Sequence, residues 1–270
     1  MLKKNSIGVA LAFALALGAW SGSTLATPVT VGGITWDPAS GADLTVQALN
    51  FRESSVANVG DVLTGYGQIG SINGSTSFCA SCDLTFTFQY TLSAIEGTAL
   101  NPKVVFNAGS LNFFVAPAGS FITANPSTAG IGTPWLTLSG HTAPFSGFTA
   151  VGQLYSNING AVSAPGQLSG GFGLLDATGG PAAFWMDTNT QPNGADFSLS
   201  SAFSTFPDSS CTSTSTNPAS ICYYPIVGAG TLTGRTLRVP EPGPAGMLGL
   251  GLAFVGLLTW RRNKGTAGRA

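Results

Sequence analysis

The amino-acid sequence predicts an all-β protein, an antiparallel β-sandwich of the jelly-roll kind. Residues 84–90 alternate apolar and polar side chains, which is the period of a strand with one buried face. Similar short apolar runs recur between turn signals such as Asn73-Gly74 and Asn101-Pro102. No stretch holds the roughly ten residues of 3.6-residue apolar periodicity, free of Gly and Pro, that a helix requires.

The predicted strands follow each other at the spacing typical of a sandwich. They are residues 44–51, 62–69, 84–90, 104–106, 111–115, 135–138, 148–155, 168–175, 182–187, 196–203 and 226–237. In the clearest of them, the buried face is predicted to carry Leu84, Phe86, Phe88 and Tyr90, and the other face Thr85, Thr87 and Gln89. These elements are assigned to one domain, residues 27–238.

A secretory signal peptide is predicted over residues 1–26. Two lysines precede an apolar run over residues 7–20, and small residues follow as far as Ala26. The run of about 14 residues is shorter than the roughly 20 that a membrane-spanning helix needs, which favours a cleaved leader over a permanent anchor. The exported protein is therefore predicted to begin at Thr27.

The predicted domain is poor in charge and slightly acidic. Its four basic residues stand against ten acidic ones, which gives a net charge of −6 where the whole chain has −1. Such a domain does not attract a polyanion, so nucleic acid is a poor partner. Charged residues form 8% of the chain, against about 25% in an average soluble protein. Surface polarity must therefore come from Ser, Thr, Asn and Gly.

Four cysteines predict disulfide bonds, since an even count in an exported protein indicates oxidised pairs. Three connectivities are possible. The local pairs Cys79–Cys82 and Cys211–Cys222 are favoured, because each closes a short loop and the second would hold a Ser/Thr-rich segment with no core of its own. A redox motif would need a nearby βαβ pattern, and a zinc site would need a second closely spaced pair.

No residue pattern predicts catalysis or a cofactor. The single histidine, His141, lies in a predicted loop, and no Gly-x-Ser-x-Gly elbow surrounds any serine. A carboxylate pair of the glycosidase type remains open, with Asp176 and Asp187 on or beside predicted strands. Residues 187–196 place oxygen ligands at alternate positions, as calcium prefers, but a polar hairpin turn explains the same residues.

Aromatic side chains raise the question of sugar stacking. Trp36, Trp135, Trp185 and several tyrosines could stack on sugar rings. Aromatic residues at alternating strand positions more often belong to the core, and we expect this of Trp185.

The C-terminal tail carries the most specific motif of the chain. A Pro-Glu-Pro sequence precedes an apolar stretch over residues 245–260, and a basic cluster follows it. Prolines at alternate positions stop any strand, and basic residues after an apolar stretch mark a cytoplasmic end. The order resembles the PEP-CTERM sorting signal over residues 239–264, with residues 265–270 as a cytoplasmic tail. The residues that carry the resemblance are Pro240, Glu241, Pro242, Arg261 and Arg262.

This resemblance implies a route and a location. After export through the Sec translocon, the single C-terminal hydrophobic helix would anchor the chain transiently in the inner membrane until an exosortase removes the tail. The expected function is that of a non-enzymatic structural protein of the cell surface or extracellular matrix, associated with exopolysaccharide or biofilm. The alternatives are a secreted carbohydrate- or calcium-binding module and, third, a glycan-acting hydrolase.

Overall fold

The computed structural model describes residues 27–159, 168–204, 211 and 215–237. The predicted signal peptide, C-terminal helix and sorting residues (Pro240, Glu241, Pro242, Arg261 and Arg262) lie outside the described residues. Within the described ranges, no helix has the length and hydrophobicity required to cross a lipid bilayer.

Eleven strands and one short helix form the described fold. The strands are β1 (Val29–Val31), β2 (Ile34–Trp36), β3 (Thr45–Glu53), β4 (Val62–Ile72), β5 (Cys82–Thr98), β6 (Asn101–Pro117), β7 (Thr133–His141), β8 (Leu154–Asn157), β9 (Leu168–Gly179), β10 (Phe197–Ser204) and β11 (Ile226–Gly234). The helix α1 spans Ala183–Met186, and 3-10 turns occur at Pro126–Gly130, Pro192–Gly194 and Ile221–Tyr223.

Strands β3–β11 form one antiparallel sheet that closes on itself. The order is β10-β11-β3-β4-β5-β6-β7-β9, and β10 pairs back onto β9. β8 continues the line of β7, since both lie between β6 and β9 and pair with different parts of each. The wall is therefore an eight-position barrel, a size at which side chains fill the interior or enclose one small ligand.

The predicted all-β class is confirmed, whereas the two-sheet sandwich is wrong. Sandwiches and barrels both bury alternate residues along each strand, so alternation does not distinguish them. Closure depends on pairings between distant segments, such as β11 with β3. The sequence pattern carries no direct signal for such a pairing.

Four predicted strands also differ from the structure. Residues 182–187, predicted as a strand, contain α1. Two predicted strands, residues 104–106 and 111–115, belong to the single long strand β6. Of the predicted strand 148–155, only the last part lies in β8, because residues 142–152 run outside the wall as a loop that pairs only at the Ala143–Gly152 bridge.

Aromatic rings fill the interior by lying against glycines of neighbouring strands. The alternation predicted for residues 84–90 is confirmed: Leu84, Phe86 and Tyr90 are buried and Phe88 is half-buried. A Cβ atom on Gly65 would overlap the ring of Phe88. Tyr90 occupies the space beside Gly109 in the same way, as Phe51 does beside Gly228. Close packing of this kind leaves only small cavities.

An aromatic cluster lies at one end of the barrel, next to the β1–β2 hairpin. The Trp135 ring contacts Trp36 and Phe113 edge-on, at centroid distances of 6.1 and 6.3 Å. Its indole N–H donates to the carbonyl oxygen of Val31 at 2.8 Å. This contact ties the hairpin to the barrel. At the opposite end, β3 finishes at Glu53 and β4 begins at Val62.

Both predicted disulfides, Cys79–Cys82 and Cys211–Cys222, are confirmed. Their Cα atoms lie 5.5 and 5.3 Å apart, within the usual range for a disulfide. The first precedes and enters β5, and the second joins the segments that lead into β11.

Candidate functional site

A polar groove of about 300 Å³ lies on the outer face of β4, β5 and β6; we call it the outer groove. The strand register brings polar side chains into two rows across these strands. Neighbouring strands lie about 4.8 Å apart and alternate residues about 6.7 Å apart, so the two rows cover roughly 10 by 7 Å. The rows are Thr64–Gln89–Ser110 and Tyr66–Thr87–Asn112.

One wall of the outer groove comes from the 3-10 turn Pro126–Gly130, which places Pro126 beside the floor. The Thr85 hydroxyl donates to the carbonyl oxygen of Ala129 at 2.6 Å and holds this turn on the barrel. The Tyr66 hydroxyl donates to the carbonyl oxygen of Thr123 at 2.7 Å. The outward side chains of β4 and β5 therefore fix the wall as well as the floor.

Tyr224 forms the other wall. Its ring meets the Tyr66 ring edge-on at a centroid distance of 4.9 Å, and its hydroxyl lies beside the side chain of Thr64. The preceding 3-10 turn is capped by Ser220, whose hydroxyl accepts the N–H of Cys222 at 3.3 Å. The Cys211–Cys222 bond therefore constrains the segment that presents Tyr224 to the groove.

The lining of the outer groove is neutral, since none of its residues is Asp, Glu, Lys, Arg or His. Burial raises the pKa of Tyr66 to about 12 and also raises the pKa of Tyr224, so both phenols are uncharged at neutral pH. The Asn112 amide oxygen accepts the Thr137 hydroxyl at 3.1 Å, and the described residues offer no acceptor to its NH₂ group. The groove thus presents neutral donors, neutral acceptors and aromatic surface.

His141 and Asp176 form a pair that the sequence did not predict. The expectation that His141 lies in a loop is wrong, because it is the last residue of β7 and is half-buried. Its Nδ1 lies 2.9 Å from both carboxyl oxygens of Asp176, on neighbouring strand β9. Among the described residues, no hydroxyl group forms a hydrogen bond with the His141 ring.

In residues 187–196, the segment with calcium-type oxygen ligands, the buried carboxylate binds backbone N–H groups. Asp196 is 2% exposed, and its carboxylate accepts three backbone N–H groups, from Ala177 at 2.8 Å and from Thr188 and Asn189 at 2.6 Å. The exposed carboxyl of Asp187 accepts the Asn189 side-chain amide at 3.1 Å. Among the described residues, no three or more His, Cys, Asp and Glu side chains converge as metal ligands. The predicted hairpin is also wrong, since α1 precedes the turn.

The tryptophans considered for sugar stacking lie elsewhere. Trp36 and Trp135 are buried in the aromatic end cluster, and Trp185 is half-buried against the core. The aromatic side chains on the groove side of the wall are instead Tyr66 and Tyr224. Alternation in β5 indicated the polar floor, whereas Tyr224 comes from a segment remote in sequence.

No sequence pattern singled out Glu53, the last residue of β3, as a functional candidate. It is 7% exposed, and burial raises the pKa of its carboxyl to about 8. Every other Asp and Glu among the described residues accepts at least one hydrogen bond. No described group donates a hydrogen bond to Glu53, which is therefore the one unpaired acidic side chain of the described fold.

Comparison with known proteins supplies no relative. The chain matches no protein-family model, and it has no significant match among curated proteins or among solved structures. Function therefore has to be inferred from the outer groove, the barrel interior and the sequence motifs.

Proposed function

We propose that this chain is an exported, exosortase-processed, non-enzymatic protein of the cell surface or extracellular matrix, and that it binds neutral polysaccharide in the outer groove. The observation that carries the proposal is the lining of the groove. Hydroxyl and amide side chains from three strands form its floor, tyrosine and proline form its walls, and no charged side chain takes part.

Sugar rings have the complementary chemistry. Their hydroxyl groups both donate and accept hydrogen bonds, as do the side chains of Thr87, Gln89 and Asn112. The C–H face of a pyranose is apolar and packs against aromatic surface, which Tyr224 supplies at the edge of the groove. A floor of roughly 10 by 7 Å accommodates one or two sugar rings.

The remaining support for export and sorting comes from the sequence. The N-terminal segment has the three regions of a signal peptide, and the tail has the order of a PEP-CTERM signal. The two disulfides fit an oxidising compartment. A domain with so few charges also suits a matrix of neutral, hydrated polymer, because polar contacts then replace charged ones.

Groove binding is testable with Tyr224→Ala and Gln89→Ala. We expect each variant to weaken binding of neutral oligosaccharides about tenfold, since each loses packing or hydrogen bonds equivalent to roughly 1–2 kcal/mol. Affinity is measured by calorimetry with the best neutral ligand from a glycan array. Gln191→Ala is the matched control, because Gln191 is half-buried and lies outside the groove lining.

The control variant should bind as the unaltered protein does. Wild-type affinity in both groove variants, or a preference of the unaltered protein for anionic glycans on the array, would contradict a neutral sugar site. Circular dichroism and the melting temperature show whether each variant is folded.

Processing is tested by intact-mass spectrometry of the protein from a host that contains exosortase. The mature form should lack residues 1–26 and 245–270. A Glu241→Ala variant should keep the tail, because the resemblance makes Glu241 part of the recognised motif. Retention of residues 245–270 by the unaltered protein in that host would refute the sorting proposal.

A further inference from the structure

Two small cavities lie inside the barrel, and we call them together the lumen. Their volumes are about 70 and 50 Å³. The two cavities share three lining residues, Glu53, Leu154 and Ser201. Glu53 therefore lies where the two cavities adjoin, and most of the other lining groups are apolar side chains of β3, β4, β5, β6, β10 and β11.

Within the lumen, Glu53 receives neither a hydrogen bond nor the charge of a cationic side chain from the described residues. Its side chain is 7% exposed and accepts no hydrogen bond from the described residues. No Lys, Arg or His lines either cavity, and the other titratable group in the lining is Tyr90, a neutral phenol whose pKa burial also raises. A buried carboxyl without a partner destabilises the fold, so a ligand that supplied a cationic donor there would gain strongly.

We propose that the lumen binds a short primary alkylammonium ion, with its ammonium group at Glu53 and its alkyl chain between apolar side chains. The cation supplies three N–H donors, and the carboxylate and the Ser201 hydroxyl are available acceptors beside it. The alkyl chain extends toward Phe88, Leu199 and Leu232 in the larger cavity. This site is separate from the outer groove and does not depend on polysaccharide binding.

The size of the lumen limits the ligand. The two cavities together are smaller than the roughly 150 Å³ cavity that holds benzene in an engineered protein, so the ligand has about five non-hydrogen atoms. A ligand of that size binds at best in the micromolar to millimolar range. n-Butylammonium is therefore a suitable probe.

Binding must release a proton when Glu53 starts protonated. The alkylammonium ion keeps its own proton below about pH 10, as a lysine does. The Glu53 carboxyl gives up its proton to solvent and becomes the carboxylate that pairs with the cation. Because the pKa of Glu53 is about 8, binding should release close to one proton at pH 6 and almost none above pH 9.

The test is titration calorimetry with n-butylammonium chloride from pH 6 to 9, in two buffers that differ in ionisation enthalpy. We expect affinity to rise about tenfold for each pH unit up to about 8 and then level off. Backbone amide NMR signals of Leu154 and Ser201 should shift on binding. Glu53→Gln should abolish binding. Glu96→Gln should leave binding unchanged, because the Glu96 carboxyl contacts the backbone of Thr149 and Ala150 and does not line the lumen.

Two other probes make the outcome decisive. n-Butanol should bind at least tenfold more weakly than n-butylammonium, because it brings no charge. Butyramide binding that weakens above pH 8 would show that the neutral carboxyl is the recognising group and would overturn the proposal. Absence of n-butylammonium binding, or its persistence in Glu53→Gln, would overturn it too. A Tyr224→Ala variant should bind the amine normally, which separates this test from that of the groove.

Discussion

Replacing Glu53 with glutamine should stabilise the protein by roughly 5 kcal/mol at pH 9 and leave its stability unchanged near pH 4. The physical reason is the burial of the Glu53 carboxyl without a partner. Glutamine has nearly the shape and polarity of the protonated acid, so it matches wild type where Glu53 is protonated in both states. It does not ionise, so it avoids the desolvation penalty at high pH.

The direction follows from the shift of the carboxyl pKa. Glu53 has its pKa raised from 4.5 to about 8 on folding. Between those pH values the folded state binds more protons than the unfolded state, so the free energy of unfolding falls as pH rises. This contribution of Glu53 to the free energy of unfolding is fully present below pH 4.5. It is lost as pH rises from 4.5 through the folded pKa of about 8.

Urea unfolding of both proteins from pH 4 to 9 measures this effect. Wild type should lose about 1.4 kcal/mol for each pH unit between about 5 and 8 relative to Glu53→Gln. Glu96→Gln provides a control of opposite sign, because backbone N–H groups of Thr149 and Ala150 lower the pKa of that carboxyl. Its variant should be less stable than wild type at neutral pH. Parallel pH profiles of wild type and Glu53→Gln would show that Glu53 ionises freely in the folded state.

Replacing Asp196 with alanine should destabilise the protein by about 3–5 kcal/mol. The carboxylate accepts three backbone N–H groups that join β9 to the turn after α1. Asp196 is 2% exposed, so alanine would leave these donors without their charged acceptor in a place that water reaches poorly. A loss of this size lowers the melting temperature by roughly 10 °C in a domain of this length.

Differential scanning calorimetry compares Asp196→Ala with Asp187→Ala, the matched control. Asp187 is exposed and accepts one hydrogen bond, from the Asn189 side chain, so its variant should lose less than about 0.5 kcal/mol. Equal effects of the two substitutions would contradict a structural role for Asp196. A calcium-dependent rise in the melting temperature of wild type would show that these oxygens serve a cation instead of the backbone.

The sequence determined the features that depend on local chemistry. Strict alternation over residues 84–90 fixed which side of β5 faces inward, because side chains alternate across any strand. Close spacing of the cysteines favoured the pairs Cys79–Cys82 and Cys211–Cys222, which the structure contains. The strand predicted for residues 182–187 was wrong, because a short apolar run has no periodicity that separates a helix from a buried strand.

The tertiary structure decided the features that combine distant segments. Pairing of β11 with β3 and of β10 with β9 closed the barrel, and alternation is the same in a barrel and in a sandwich. The outer groove needed the register of β4, β5 and β6 and a tyrosine from a segment far along the chain. Glu53 looked like any other surface acid in the sequence. Only closure of the wall, with a bulge in β3, placed its side chain among the apolar residues of the lumen, where it is 7% exposed.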